Sequence, residues 1–304
     1  MKYLHYLYIF ISICLCSCSV QQNSGESNTL LQNPRATDSK PSANTGNSVD
    51  MKEIAKAVKK AGVGDRAFSH STYNGKIYYH NNYFLSYSEQ DEQAEWVAYE
   101  VTYEEVSSNN CAKSTEFFED PIIETKSAQP YDYKYTGYDK GHMAPSADMR
   151  FDPVAQKECY YMSNMSPQLH SFNAGLWNDL ENYVRYLARA YNRIYVVTGP
   201  VLKGCNNKLT KTFKDGTKQQ TRITLPDYYF KIIFDSSYEK NMKMIAFLMP
   251  NKDCNDNDIF HYATTVDQVE KLTGIDFFKN LPKDVQHELE SKYDEKAWKK
   301  IPKK

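Results

Sequence analysis

The 304-residue sequence lacks an excess of charge of either sign. Its 37 Lys and Arg side chains nearly balance 38 Asp and Glu side chains, which gives a formal net charge of −1 at pH 7. A chain of this composition has no global basic field that would attract polyanions. Contact with nucleic acid would depend on a local cluster of cations, which weakens a nucleic-acid interpretation without excluding it.

The sequence also lacks an apolar run long enough to span a membrane. Its main run, Leu7 to Leu15, is too short for a mature membrane helix but suits an export signal. The run ends in Leu15-Cys16-Ser17-Cys18, which resembles a bacterial lipoprotein box. This resemblance implies cleavage before Cys18 and a lipid on its sulfur. We expect an exported, membrane-anchored lipoprotein of the cell envelope, in the periplasm or at the cell surface; plain secretion and a retained anchor stay open.

Close C-x-x-C spacing, which is typical of zinc sites, is absent after the signal segment. Four cysteines remain there, and an exported domain allows three pairings among them. We expect structural disulfides or buried thiols, and among the pairings we favour Cys205 with Cys254, since both flank the same run of strands. The four are Cys111, Cys159, Cys205 and Cys254.

Composition divides the chain into four parts, with no internal repeat. Residues 19–50 contain few apolar side chains and cannot offset the entropy of ordering, so we expect a disordered Ser-, Asn- and Gln-rich tether. The parts are a lipoprotein signal peptide at 1–18, the tether at 19–50, a short helix at 51–65 and a folded domain at 66–300.

Hydrophobic periodicity predicts an α+β fold with a mainly antiparallel sheet and helices packed on it. Tyr83–Tyr87 and Trp96–Thr102 are predicted to form a hairpin, and Ser107–Pro145 is predicted to be mainly loop. Further strands are predicted at Tyr160–Ser163, Ile194–Thr198, Tyr228–Phe234 and Met244–Leu248, with a break at Asn164–Gln168 and helices at Asn173–Tyr191 and Thr265–Leu272.

The segment Tyr138–Pro145 combines an acid, a base, a histidine and a proline, which suits a site better than a packed core. His142 titrates near neutral pH and is a candidate general base. A single histidine in a loop is more often a hydrogen-bonded structural residue. The order of the motifs that follow favours the catalytic interpretation.

The predicted helix from Asn173 carries polar groups on its apolar side. With Asn173 set at 0°, Glu181 falls at about 80° and Arg185 at about 120° around an ideal helix. Polar groups on an inner face need partners. One account is a buried Glu181–Arg185 pair with Asn173 as an N-terminal cap. The other is a functional site.

Five segments in this order resemble the DNA/RNA non-specific endonuclease family, the ββα-metal nucleases that include endonuclease G. The resemblance covers about residues 66–290 and implies a ββα-metal catalytic motif. The matching segments are Tyr138–Pro145 (YDKGHMAP), Tyr161–Gln168 (YMSNMSPQ), Phe172–Glu181 (FNAGLWNDLE), Val197–Pro200 (VTGP) and Tyr229–Ile232.

The resemblance implies a role for each matching residue. His142 corresponds to the general base, and Asn173 to the protein ligand of Mg²⁺ or Mn²⁺. Glu181 corresponds to a carboxylate that holds water at the metal, and Arg185 to a cation beside the scissile phosphate. Asn164 and Gln168 correspond to residues that shape the site. We assign Asn164 to the catalytic set and Gln168 to substrate binding.

Two positions depart from the family pattern. Lys140 and Lys113 stand where the family usually has arginine, and both are predicted to bind substrate. Lysine keeps the charge but loses the bidentate contact with phosphate. Catalytic strength and substrate preference are therefore in question. Asp139 also matches the motif, and we expect it to orient the loop.

The resemblance implies a hydrolase that cleaves phosphodiester bonds of DNA and RNA without sequence preference. Two alternatives stay open: a phosphodiesterase or nucleotidase for small nucleotides, and a non-catalytic lipoprotein that binds polyanions. The expected partners are nucleic-acid substrates and the membrane that holds the lipid. The sequence indicates no protein partner, and a homodimer stays open.

Overall fold

The computed structural model describes residues 68–237, 242–254, 256 and 258–300. The predicted signal peptide, the tether, the helix at 51–65 and the lipidation site at Cys18 lie outside the described residues. No helix among those described is long and apolar enough to cross a membrane.

Seven strands of the described chain form a central antiparallel sheet in the order β1-β2-β3-β6-β9-β10-β11. Helices pack on this sheet, so the predicted α+β fold is confirmed. The strands are β1 Lys76–Tyr79, β2 Phe84–Ser88, β3 Gln93–Thr102, β6 Arg193–Pro200, β9 Tyr228–Asp235, β10 Lys243–Pro250 and β11 Ala263–Thr264. The predicted hairpin is β2 and β3, and the strands predicted in β6, β9 and β10 are also present.

Two smaller antiparallel ribbons accompany the sheet. One pairs β4 Tyr138–His142 with β5 Met165–Leu169, and the other pairs β7 Lys208–Thr212 with β8 Lys218–Thr224. Short 3₁₀ turns occupy Pro130–Tyr133, Ser146–Asp148, Met162–Asn164 and Ile259–Tyr262. The ribbon of β7 and β8 is rich in Lys, Thr and Gln, so the pattern of apolar residues does not predict its two strands.

The helices are short apart from one. A helical segment begins at His170–Phe172, passes through a π-helical turn at Asn173–Trp177 and continues as α3. The predicted helix over Thr265–Leu272 is present, and the Thr265 side chain caps it by accepting from Gln268 N. The α-helices are α1 Tyr103–Ser107, α2 Pro153–Glu158, α3 Asn178–Tyr191, α4 Val266–Thr273, α5 Lys283–Glu290 and α6 Glu295–Lys299.

Both faces of the central sheet are buried. Successive side chains of a strand point to opposite faces, and β3 accordingly sends Val97 and Tyr99 into one core and Trp96 and Ala98 into another. The first core also contains the apolar side of α3, and the second contains those of α4 and α5. The helix that follows Asn173 is therefore held against a rigid sheet.

The ribbon of β4 and β5 corrects two predictions. Tyr138–His142, predicted as loop, is a strand, and the strand lies at Met165–Leu169 rather than at Tyr160–Ser163. The expected break contains Pro167, which cannot donate to a sheet. β5 pairs with β4 alone, and an edge position tolerates proline.

The cysteine prediction is also corrected. Cys111, Cys159, Cys205 and Cys254 are all free, so the favoured Cys205–Cys254 disulfide is wrong. The other alternative, a buried thiol, describes Cys159, whose Sγ donates to Gln156 O at 3.2 Å. Loops that flank one run of strands need not meet, because the strand ends can lie far apart.

Candidate active site

His142 is the last residue of β4, and its ring is enclosed by aromatic side chains. The ring centroids lie 4.7 Å from Tyr160 and 5.7 Å from Phe117. Burial, aided by the nearby charge of Lys113, lowers the pKa of His142 to about 3. The imidazole is therefore neutral near pH 7. Within the described part of the chain, its enclosed Nε2 has no hydrogen-bond partner.

The two lysines that depart from the family pattern lie near this histidine. The Nζ atom of Lys140 lies 4.7 Å from the ring centroid of Phe117, the same ring that contacts His142. Lys113 is exposed, and its positive charge is close enough to lower the pKa of His142. Both predicted substrate-binding cations therefore lie in the neighbourhood of His142.

Asn164 holds the segment that follows His142. Its Oδ1 accepts from Ala144 N at 2.9 Å, and its Nδ2 donates to Ala144 O at 3.0 Å and to Cys159 O at 2.8 Å. The side chain is fully buried, and both ends of its amide are engaged with the backbone. This geometry favours a positioning role for Asn164 over direct contact with substrate.

Gln168 is also fully buried, and its side chain lies against Gly141. A Cβ atom at position 141 would overlap the Gln168 side chain, so this approach requires glycine one residue before His142. A side chain with no exposed surface offers none to a substrate. The structure therefore favours packing of Gln168 under β4 over the substrate contact that we expected.

Asp139 connects β4 to the turn that carries Asn173. Its Oδ2 accepts from Nδ2 of Asn173 at 2.9 Å and pairs with Nδ1 of His170 at 2.8 Å. Because Nδ2 of Asn173 is bound to Asp139, the amide presents its Oδ1 as the end free to meet a cation. Oxygen is the ligand atom that Mg²⁺ and Mn²⁺ prefer, so the residues present fit such an ion.

The structural alternative for Asn173, an N-terminal cap, is wrong. The helical segment begins three residues earlier at His170, and the Asn173 side chain is used by Asp139. Gly175 has non-helical backbone angles (φ −103°, ψ −112°) within the π-helical turn. The angles of an ideal helix therefore do not carry from Asn173 to Glu181.

Arg185 forms an ion pair with Asp148 and not the pair with Glu181 that the structural alternative required. Its Nη1 donates to Asp148 Oδ1 at 2.8 Å, and its Nη2 donates to Asn182 Oδ1 at 2.8 Å. Asp148 belongs to the 3₁₀ turn that follows the histidine motif. The pair thus joins α3 to the segment behind His142.

Glu181 shares its surroundings with a lysine that the sequence analysis missed. Lys231 on β9 is fully buried; its Nζ lies 4.4 Å from the Trp177 ring centroid and 3.1 Å from Thr198 Oγ1. Burial raises the pKa of Glu181, and the charge of Lys231 opposes this rise. Burial lowers the pKa of Lys231, and Glu181 and Asp148 oppose this fall. The opposite charges of Glu181 and Lys231 therefore favour each other's ionised form in this buried region.

The predicted residues therefore fall into three linked groups around β4. His142, Lys140 and Lys113 surround Phe117; Asp139 binds Asn173; and Glu181 lies with Arg185 near Asp148 and Lys231. β4 contributes to the first two groups, and the turn that follows it contributes Asp148 to the third, six residues after His142.

The comparisons with known proteins decide the family. The model of the DNA/RNA non-specific endonuclease family matches residues 66–284, which is more than half of the chain. The chain belongs to this family. Members are metal-dependent nucleases, and the chain is accordingly a hydrolase of the nuclease class.

Relatives of this endonuclease chain include proteins from animals, fungi and bacteria. A nuclease from Nostoc sp. is 32% identical over 224 residues, which cover 70% of this chain and 77% of the relative. Bovine mitochondrial endonuclease G is 27% identical, with coverages of 66% and 68%, and the mitochondrial nuclease of Saccharomyces cerevisiae is 30% identical, with coverages of 66% and 64%. The match thus spans about two thirds of the length of the bovine and yeast proteins.

The crystal structure of the EndoG/EndoGI complex contains a similar fold. Its matching chain has 29% identity and a TM-score of 0.59, with coverage of 76% of this chain and 93% of that one. That structure concerns the inhibition of EndoG. The endonuclease fold of this chain therefore extends over nearly all of its described part.

Three contributors to the endonuclease site were not found from the sequence. Asp148 and His170 carried no signal, because their partners are distant in the chain. Lys231 did carry one: it interrupts the apolar run Tyr228–Phe234, where every neighbour is buried. A charge at a fully buried strand position requires a counterion. The presence of Lys231 in this run therefore predicts a buried carboxylate close to it.

Proposed function

We propose that the chain is a metal-dependent endonuclease that hydrolyses phosphodiester bonds of DNA and RNA without sequence preference. The observation that carries this proposal is the neutral, unpartnered Nε2 of His142 on the same strand as Asp139, which fixes the amide of Asn173. One strand thus supplies a base and orients an oxygen ligand. These are the two functions that phosphodiester hydrolysis needs.

His142 is the general base in this proposal. A base must be unprotonated before it accepts a proton from water, and burial, which lowers the pKa of His142, keeps the imidazole neutral near pH 7. The aromatic rings of Phe117 and Tyr160 keep the imidazole in place. Asn164 and Gln168 fix the backbone on either side of it.

Asn173 is the proposed ligand of a divalent cation, Mg²⁺ or Mn²⁺. When bound, the ion supplies positive charge that stabilises the phosphate in the transition state. Asp139 orients the amide, and Glu181 would orient water near it. Buried beneath α3, Lys231 favours the ionised form of Glu181, the form that accepts hydrogen bonds from water.

Lys140, Lys113 and Arg185 supply the local positive charge that the composition lacks globally. Lys140 and Lys113 are accessible for phosphate contact, and both offer single-point contacts. Arg185 is nearly buried and paired with Asp148, so it acts mainly by holding the segment after His142. Contacts of this kind with phosphates carry no sequence information, which fits cleavage without sequence preference.

The test is a cleavage assay on plasmid DNA, RNA and a dinucleotide with the full chain, in Mg²⁺ and in EDTA. We expect EDTA-sensitive cleavage of both polymers and a loss of about a thousandfold in His142→Ala, in line with removal of a general base. His261→Ala is the matched control, since His261 is an exposed histidine far along the chain, paired with Asp256. Equal cleavage by His142→Ala, or cleavage in EDTA, would contradict the proposal.

We also propose export and lipid attachment at Cys18, on the basis of the sequence Leu15-Cys16-Ser17-Cys18. An anchored nuclease would act outside the cytoplasm. Incorporation of radiolabelled palmitate by the wild-type chain and its loss in Cys18→Ser would support this proposal. Equal labelling of Cys18→Ser would refute it. Whether the chain forms a homodimer stays a prediction, to be checked by its sedimentation in solution.

A further inference from the structure

Two exposed tyrosines stand on a short segment just before β4. Tyr131 is 56% exposed and Tyr135 is 46% exposed, although both rings are large and apolar. Both tyrosines contact β7, at two successive residues. The Lys211 Nζ lies 4.1 Å from the Tyr131 ring centroid, and Thr212 N donates to the backbone oxygen of Tyr135 at 2.8 Å. The two rings therefore belong to one surface patch.

The structure holds Tyr135 in a costly conformation. Its φ of +67° lies in the left-handed region, which a bulky residue rarely adopts. The hydrogen bond from Thr212 and a ring contact with Phe213 at 5.6 Å maintain it. A conformation that costs free energy and keeps an aromatic ring exposed is a reason to look for a function of that ring.

The ribbon beside these rings is locally basic. It has five basic residues and one acidic residue, a formal net charge of +4 in a chain whose total is −1; two of the five, Lys211 and Arg222, pair with Asp132 and Glu92 outside the ribbon. Within the described residues, Lys214 and Lys218 are exposed without an ion pair, and so is Lys134, whose Nζ lies 5.0 Å from the Tyr135 ring centroid. The basic residues are Lys208, Lys211, Lys214, Lys218 and Arg222, and the acidic residue is Asp215.

The strand β4 joins the patch to the candidate active site along the chain. Tyr135 precedes Tyr138, the first residue of β4, by three positions, and His142 is the last. At a strand rise of about 3.3 Å per residue, Tyr138 and His142 are about 13 Å apart.

We propose that Tyr131, Tyr135 and the exposed lysines Lys134, Lys214 and Lys218 form a binding surface for unpaired nucleobases and their phosphates, separate from the catalytic residues. We call it the tyrosine platform. It rests on the proposed function, because its ligand is the single-stranded continuation of a cleaved polymer. Aromatic faces bind bases of any sequence, and lysines bind the intervening phosphates.

The chemistry favours nucleic acid over a protein partner. A protein-binding patch is expected to have an apolar centre with few charges. Here Lys211 lies against the Tyr131 ring and Lys134 against the Tyr135 ring, and the exposed Lys214 and Lys218 belong to the adjacent ribbon. Exposed rings also favour unpaired bases over a duplex, whose bases are stacked on each other and present no face to a side chain.

The experiment measures binding in EDTA, so that it does not depend on catalysis. The probes are a fluorescein-labelled single strand of about 12 nucleotides, a blunt duplex of the same sequence and a dinucleotide. The variants of the full chain are Tyr131→Leu/Tyr135→Leu and Tyr131→Phe/Tyr135→Phe. The matched control is Tyr79→Leu, which removes a tyrosine that is 54% exposed on β1.

We expect the double leucine variant to lose about thirtyfold or more in affinity for the single strand, the scale of base–aromatic stacking. Affinities for the duplex and the dinucleotide should change less than threefold, and the phenylalanine variant and Tyr79→Leu should bind like wild type. Unchanged affinity of the leucine variant for the single strand would overturn the platform, as would an equal loss for the duplex. Tyrosine-dependent binding in a chain that cleaves nothing would refute the endonuclease proposal and leave the platform standing.

Discussion

Asp139 and Asn173 are joined by a 2.9 Å hydrogen bond in which the Asn173 amide nitrogen donates to the Asp139 carboxylate. The bond determines which end of the amide is available to a cation. Asp139 therefore orients the Asn173 amide, a role beyond the orientation of its own loop that the sequence predicts.

Removal of this acceptor should weaken metal binding. In Asp139→Ala, the Asn173 amide can rotate, and we expect the Mg²⁺ concentration for half-maximal cleavage to rise about ten- to a hundredfold, as for other residues that orient a metal ligand. A Mg²⁺ titration followed by thermal unfolding gives a second measure without turnover. His170→Ala is the control, because it removes the other partner of Asp139 and leaves the bond to Asn173. A rise of equal size in both variants would show that the bond to Asn173 is not what matters.

Lys231 should control the pH at which Glu181 becomes ionised. Its positive charge opposes the burial that raises the pKa of Glu181. In Lys231→Met the pKa of Glu181 rises further, so a smaller fraction is ionised at pH 7. We expect kcat/KM to fall and to recover as the pH is raised, which shifts the acidic limb of the profile to higher pH.

The control for this prediction is Lys211→Met, which also removes a nearly buried lysine but at a site beside Tyr131 and Asp132. Lys211→Met should lower the free energy of unfolding and leave the acidic limb of the kcat/KM–pH profile at the same pH. Glu181→Gln, in contrast, should lower kcat/KM at every pH and abolish the limb that Glu181 contributes. An unshifted profile in Lys231→Met would assign Lys231 to packing alone.

Lys140 is a position where the family arginine should improve the enzyme. The Lys140 Nζ lies 4.7 Å from the Phe117 ring centroid, and an arginine can stack on the same ring while it presents two donors to phosphate. We expect Lys140→Arg to raise kcat/KM on DNA by about fivefold and Lys140→Met to lower it by at least as much, in keeping with charge-assisted hydrogen bonds of roughly 1 kcal/mol or more. Steady-state kinetics on a labelled duplex would measure both. A loss of activity in Lys140→Arg would indicate that the site is shaped for lysine.

The sequence contained most of the fold and part of the site. Runs of aromatic and β-branched residues predicted β2, β3, β6, β9 and β10, because these strands send apolar side chains into the two cores. Such runs did not reveal β4 and β5, whose side chains serve the site, nor the basic ribbon of β7 and β8, which has little apolar surface.

The site residues were found by motif, and their partners were not. Ideal helix geometry placed Glu181 next to Arg185, yet Arg185 binds Asp148, which is 37 residues away in sequence. Such pairs form only when tertiary structure brings distant segments together. Helical periodicity also does not reveal that Gly175 has non-helical backbone angles. This residue separates Asn173 from the regular helix, so the ideal helix angles do not apply across it.

Glu290 should make the folded domain less stable as the pH rises. It lies on α5 and is 3% exposed, with a carboxylate oxygen within 4.8 Å of those of Glu270 and Asp267. Burial, with the like charges of these two residues, raises its pKa to about 9. Between the unfolded pKa of 4.5 and this value, the unfolded chain loses the proton while the folded chain keeps it. Stability is therefore present in full below pH 4.5 and falls by up to about 1.4 kcal/mol for each pH unit above it.

Glu290→Gln removes this titration and keeps the shape of the side chain. We expect the variant to be more stable than wild type at pH 8, with a difference that shrinks as the pH approaches 5. Urea unfolding at several pH values measures the effect, and Glu288→Gln, which alters a more exposed carboxylate paired with Lys292, should leave the pH dependence of wild type intact. A Glu290→Gln variant whose stability follows wild type at every pH would show that Glu290 is ionised in the folded protein, with a cation or a rearranged side chain compensating its charge.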